Sequence, residues 1–101
     1  MSTSITKGKT ETKQKTGRPK LYRVLLINDD YTPREFVVLV LRSVFRLSED
    51  EALSRMMTAH QKGVCVIAVY TCEIAEAKAT EAVDLAREAG FPLMFLTEPE
   101  D

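Results

Sequence analysis

The spacing of apolar residues along this chain changes period several times, and each change marks an element. Tyr22, Val24 and Leu26 alternate with Arg23, Leu25 and Ile27, a branched and aromatic run that predicts a mostly buried strand. Asn28, Asp29 and Asp30 stop it. The period then becomes helical, with Phe36, Val37, Val40, Leu41, Val44 and Phe45 on one side of a helix from Pro33 to about Arg46. Thr32 is placed as its N-cap, Pro33 as its first residue, and Glu35 at the third position, from which its carboxylate can reach back to the Thr32 amide. Tyr31 and Phe36 occupy the two positions of a hydrophobic staple. Val38 and Leu39 widen the apolar arc beyond one contact, which predicts an exposed patch for a partner.

Ser48 with Glu51 three residues on forms a second capping box, opening a helix to about Gln61 with Leu53, Met56, Met57 and His60 along one stripe. Gly63 ends it by supplying a left-handed residue. Val64 to Tyr70 is a continuous apolar run suited to the middle of a sheet. Thr71 caps a third helix to about Ala89, with Ile74, Ala75, Ala79, Ala82, Val83 and Ala86 inward. Gly90 and Pro92 close it, and Leu93 to Thr97 makes a last strand. The order β-α-α-β-α-β predicts a compact two-layer α/β domain, a three-stranded sheet with helices on one face.

Composition adds one asymmetry. With 101 residues, 45% hydrophobic and 29% charged, the chain has the balance of one soluble domain. Residues 1–20 carry six Lys or Arg against Glu11, a charge of +5, while residues 21–101 carry eight basic and fourteen acidic side chains, or -6. The first twenty residues are therefore expected to be a flexible basic extension, and the rest an acidic domain poorly suited to nucleic acid. No apolar run is long enough to span a membrane and none makes a secretory signal, so the expected compartment is the cytoplasm. Cys65 and Cys72, seven positions apart, fit neither a metal knuckle nor a redox pair and are expected to be free thiols.

The candidate chemistry lies at the first strand-to-helix seam. Asn28, Asp29 and Asp30 suit an Asx-type turn, and they equally suit a polar site if His60, the only histidine, packs beside them. Three uses are open: metal ligation, acid-base catalysis, or recognition of a cation with several N–H donors. The spacing matches no short metal motif, and the chain has no phosphate loop, no nucleophile elbow and no second base for His60. An Asn carbonyl, an Asp carboxylate and an imidazole nitrogen do supply the acceptors an ammonium needs. Val37, Met56, Ala59 and Leu93 are candidate walls for an attached apolar group. An amine bearing a hydrophobic side chain describes a peptide N-terminus.

YRVLLINDDYTPREFV, the single His60 within HQKG, VCVIAVYT leading into EIAEAKA, and the closing PLMFLT together resemble the ClpS adaptor family, across residues 21–97. The resemblance implies a non-enzymatic adaptor, without cofactor or metal. It would bind proteins with destabilising N-terminal residues (Leu, Phe, Tyr, Trp) and hand them to the AAA+ unfoldase ClpA of the ClpAP protease. It assigns Asn28, Asp29, Asp30 and His60 to the substrate amine and first peptide unit, and Thr32, Val37, Met56, Ala59 and Leu93 to the side-chain pocket. Glu73 and Lys78 match positions that dock on the N-terminal domain of ClpA, and the basic extension matches a segment that engages the unfoldase. Arg34 stands where the family commonly has Met, at the rim that gates entry. Ala59 replaces a larger aliphatic, and Leu39 a polar residue. These departures imply a specialised variant with a narrower or shifted substrate set.

Overall fold

The computed structural model describes residues 19–100; the predicted extension lies almost wholly outside them. Six elements follow in the predicted order: β1 (Leu21–Ile27), α1 (Arg34–Ser43), α2 (Glu49–Lys62), β2 (Val64–Thr71), α3 (Cys72–Glu88) and β3 (Met94–Pro99). The strands form one antiparallel sheet in the order β2-β1-β3, and the helices pack on one of its faces. The first strand is thus the centre, and the continuous run of β2 an edge. Its outward residues Val64, Val66 and Val69 are 42%, 42% and 39% exposed. An unbroken apolar run does not distinguish a strand covered on both faces from one covered on a single face. With Leu21, Met94 and Leu96, these valines leave the face away from the helices apolar and open to solvent.

Between the layers Val24 and Leu26 of β1 meet Val37, Val40, Leu41 and Val44 of the first helical segment, Ala52, Met56 and Ala59 of α2, and Ala75, Ala79, Ala82 and Ala86 of α3. The alanine stripe of α3 keeps that helix close to the sheet. Ile74, predicted inward, stands beside that stripe and is 49% exposed. On α2 the buried stripe is Ala52, Met56 and Ala59, whereas Leu53 and His60 are exposed and Met57 is half-buried. Alanine carries a weak hydrophobic signal, so the longer side chains one position away drew the predicted face around by about 100°.

Helix ends follow the sequence unevenly. The Ser48 and Glu51 capping box is formed reciprocally, and Gly63 closes α2 at φ 90°. At α1 the N-cap is Pro33, not Thr32, and no side chain caps it. The Thr32 amide is taken by Asp29 rather than Glu35, and Tyr31 is 81% exposed, so it staples nothing. Phe36 packs instead on Phe91, ring centroids 4.9 Å apart. The same helix stops at Ser43, short of Arg46, which adopts φ 59°. The half-buried Lys78 of α3 donates through Nζ to the Val44 carbonyl at 2.8 Å, satisfying an acceptor that the helix end leaves free.

Candidate functional site

Antiparallel pairing decides where the polar seam lies. Ile27, the last residue of β1, pairs with Val64 at the start of β2 and with Met94 at the start of β3, so three strand ends meet at one end of the sheet. The Asn28 amide donates to the Gly63 carbonyl at 3.0 Å, fixing the seam to the turn between α2 and β2. His60, three residues before Gly63, is therefore carried beside Asn28. Leu93, one residue before β3, arrives at the same place.

The cavity formed there has a volume of about 190 Å³ and is lined by Leu26, Ile27, Asn28, Asp29, Asp30, Thr32, Arg34, Val37, Met56, Ala59, His60 and Leu93. All ten residues predicted for the amine site and the pocket line this one cavity. Leu26 and Ile27 join them; their alternation marked them as strand residues and gave no signal of a second role. The apolar floor is buried: Leu26, Val37, Met56, Ala59 and Leu93 are each at most 8% exposed. A dry cavity of roughly 150 Å³ holds a benzene ring, so there is room here for an aromatic or branched aliphatic side chain.

The polar residues divide into two kinds. Asp29 Oδ1 accepts from the Tyr31 and Thr32 amides, each at 2.8 Å, and from the Thr32 hydroxyl at 3.0 Å, with Oδ2 2.9 Å from the same hydroxyl. That is the Asx-type turn, and its carboxylate is used in holding the loop. The Asn28 and Asp30 side chains form no hydrogen bond with another described residue, which leaves an amide oxygen and a carboxylate free to accept from a ligand. The arrangement is an acceptor-rich mouth over an apolar floor.

His60 is exposed, and its Nε2 lies 3.2 Å from Nη2 of Arg34. A guanidinium has only donors, so in this contact Nε2 is the accepting atom. Arg34, in the first turn of α1, thus reaches across the mouth to the last turn of α2. The family resemblance implied a rim position for Arg34, but nothing in its spacing showed that it would engage the histidine. Among the described residues no group of three or more His, Cys, Asp or Glu side chains is placed to hold a metal.

A family model described as ATP-dependent Clp protease adaptor protein ClpS matches residues 17–96. The chain belongs to the ClpS family. It is 56% identical over 101 residues to the ATP-dependent Clp protease adapter protein ClpS 1 of Bradyrhizobium diazoefficiens, covering all of both chains. It is 61% identical over 95 residues to ClpS 2 of Agrobacterium fabrum, covering 94% of this chain and 92% of that one. Among solved ClpS structures, Agrobacterium tumefaciens ClpS2 bound to L-phenylalaninamide superposes with a TM-score of 0.81 at 65% identity, covering 82% of this chain and all of the other.

Glu73 is exposed near the start of α3, five residues before Lys78, whose amine is engaged by Val44. Leu39 is 57% exposed on α1 and lies with Val38, Arg42 and Arg46 along a shallow groove. Both surfaces stand apart from the cavity lining. No helix of the described residues is long and apolar enough to cross a membrane.

Proposed function

We propose that this ClpS protein is an adaptor that captures proteins by a free, hydrophobic N-terminal residue and delivers them to a Clp protease, through the ClpA unfoldase. The observation that carries this reading is the convergence of Asn28, Asp30 and His60 at the mouth of a cavity whose floor is buried and apolar. An ammonium has donors only and needs acceptors on several sides; the side chain attached to its carbon needs a dry wall. The two halves of the site meet those needs a few atoms apart. L-phenylalaninamide, found on the Agrobacterium relative, combines the same two features.

In this reading Leu, Phe, Tyr and Trp are the side chains taken, and Asn28 and Asp30 are the principal acceptors for the amine. Asp29 and Thr32 hold the loop. Glu73 and the neighbourhood of Lys78 form the docking surface for the N-terminal domain of the unfoldase, residues 1–20 act as an extension during delivery, and the cytoplasm is the place of action. The chain performs no chemistry of its own.

The test is delivery. A folded reporter beginning with Phe, incubated with ClpAP and ATP, is expected to be degraded faster when this chain is added, whereas the same reporter beginning with Ser is not. Equal acceleration of both, or of neither, would contradict the reading.

A further inference from the structure

Arg34 and His60 form a strap across the entrance, from the first turn of α1 to the last turn of α2, closed by the 3.2 Å contact between Nη2 and Nε2. The substrate amine and the guanidinium are both pure donors, and Nε2 has one lone pair. They cannot both use it. An amine that takes Nε2 releases the guanidinium; an amine held by Asn28 and Asp30 alone leaves the guanidinium in place. Either way a cation stands at the mouth of the filled site.

The path of the bound chain then decides what that cation meets. With the first side chain on the floor of Val37, Met56, Ala59 and Leu93 and the amine beside Asn28 and Asp30, the exposed Arg34 is one of the lining residues within reach of a second residue that leaves the cavity for solvent. Asp29 already has three donors within the loop and competes weakly for a new one. We propose, on the reading that this site binds free hydrophobic N-termini, that Arg34 makes it select for an acidic side chain at the second position of the substrate. A planar guanidinium pairs with a carboxylate through two parallel N–H donors, which a methyl-bearing thioether at that position cannot do. The preference acts against the local field, because Asp29, Asp30 and Glu35 otherwise favour a basic second residue.

The experiment is a cycle of two peptides and three proteins. Affinities of amidated peptides beginning Phe-Glu and Phe-Lys are measured at low salt for the wild type, Arg34→Met and Arg34→Lys. An exposed ion pair is worth between about 1.4- and fivefold in affinity, so the Phe-Glu to Phe-Lys affinity ratio should fall about threefold in Arg34→Met. Arg34→Lys, which keeps the charge but not the fork, should restore part of it. A ratio that is the same in the wild type and Arg34→Met overturns the inference while leaving N-terminal recognition intact. Failure of every free-amine Phe peptide to bind the wild type overturns both.

Discussion

Adjacent carboxylates at the seam differ in their surroundings, Asp29 bonded within the loop and Asp30 exposed, and a pair of single substitutions separates the roles proposed for them. Asp30 is exposed and bonded to no other described residue, so Asp30→Asn removes a charge without disturbing the loop. Asp29→Asn weakens an acceptor that holds two backbone amides and a hydroxyl. A hydrogen bond to a charged group contributes about 1.5–3 kcal/mol when it is enclosed. For Asp30, at a mouth that the ligand closes, about 2 kcal/mol is reasonable, a loss of roughly thirtyfold in affinity. For Asp29, half-buried with partly exposed donors, a cost of about 1–2 kcal/mol falls on folding, which lowers Tm by about 5–15 °C in a domain of this size. Fluorescence anisotropy with a labelled Phe-initiated peptide gives the first quantity, and thermal unfolding by circular dichroism the second. Asp30→Asn should lose affinity at unchanged Tm, and Asp29→Asn should lose Tm. Refutation would be an Asp30→Asn protein that binds within twofold of wild type, or one that melts as early as Asp29→Asn.

Three further outcomes follow from the packing. Ala59→Val adds two methyl groups to a buried wall of the cavity; overpacking costs about 1–3 kcal/mol, so Trp-initiated peptides should lose about tenfold in affinity while Leu-initiated peptides change less than threefold, measured by calorimetry. Lys78→Met leaves the Val44 carbonyl without its donor and should cost about 1 kcal/mol, a Tm lower by roughly 4–8 °C; an unchanged Tm would assign Lys78 wholly to partner docking. Hydrogen bonds from the Ser48 amide and then its hydroxyl hold the Glu51 carboxyl below its ordinary 4.5. Its contribution to stability is therefore complete above pH 4.5 and is lost as the pH falls through the lower folded value. Denaturant titrations of wild type and Glu51→Gln should show a gap that is constant near neutrality and closes on acidification; a gap that does not narrow on acidification would contradict the assignment.

How much of this was legible in the sequence varies by type of signal. Local grammar was reliable where the side chain has only one good use: Gly63 at positive φ, and the box of Ser48 and Glu51. At Thr32 the same grammar misplaced the cap, because the Thr32 amide had a nearer carboxylate in Asp29. The two-layer architecture followed from periodicity, but not which strand is central. That depends on pairing order, which a continuous apolar run such as VCVIAVY does not encode. The gathering of Asn28, Asp30 and His60 was anticipated from chemistry and resemblance, and its cause is the pairing of Ile27 with Val64. The contact between Arg34 and His60 was invisible, since residues 26 apart on separate helices meet only through the tertiary fold.

Recognition of a charged amine by this site is tested most directly by N-terminal acetylation of the peptide. Acetylation removes the charge and two of the three donors while leaving the side chain unchanged. Asn28 and Asp30 would then be closed over without partners, at about 1–3 kcal/mol each, so a Phe-initiated peptide should bind at least thirtyfold more weakly once acetylated. Acetylated and free peptides binding with equal affinity would show that the cavity recognises only a hydrophobic side chain and that no amine is read.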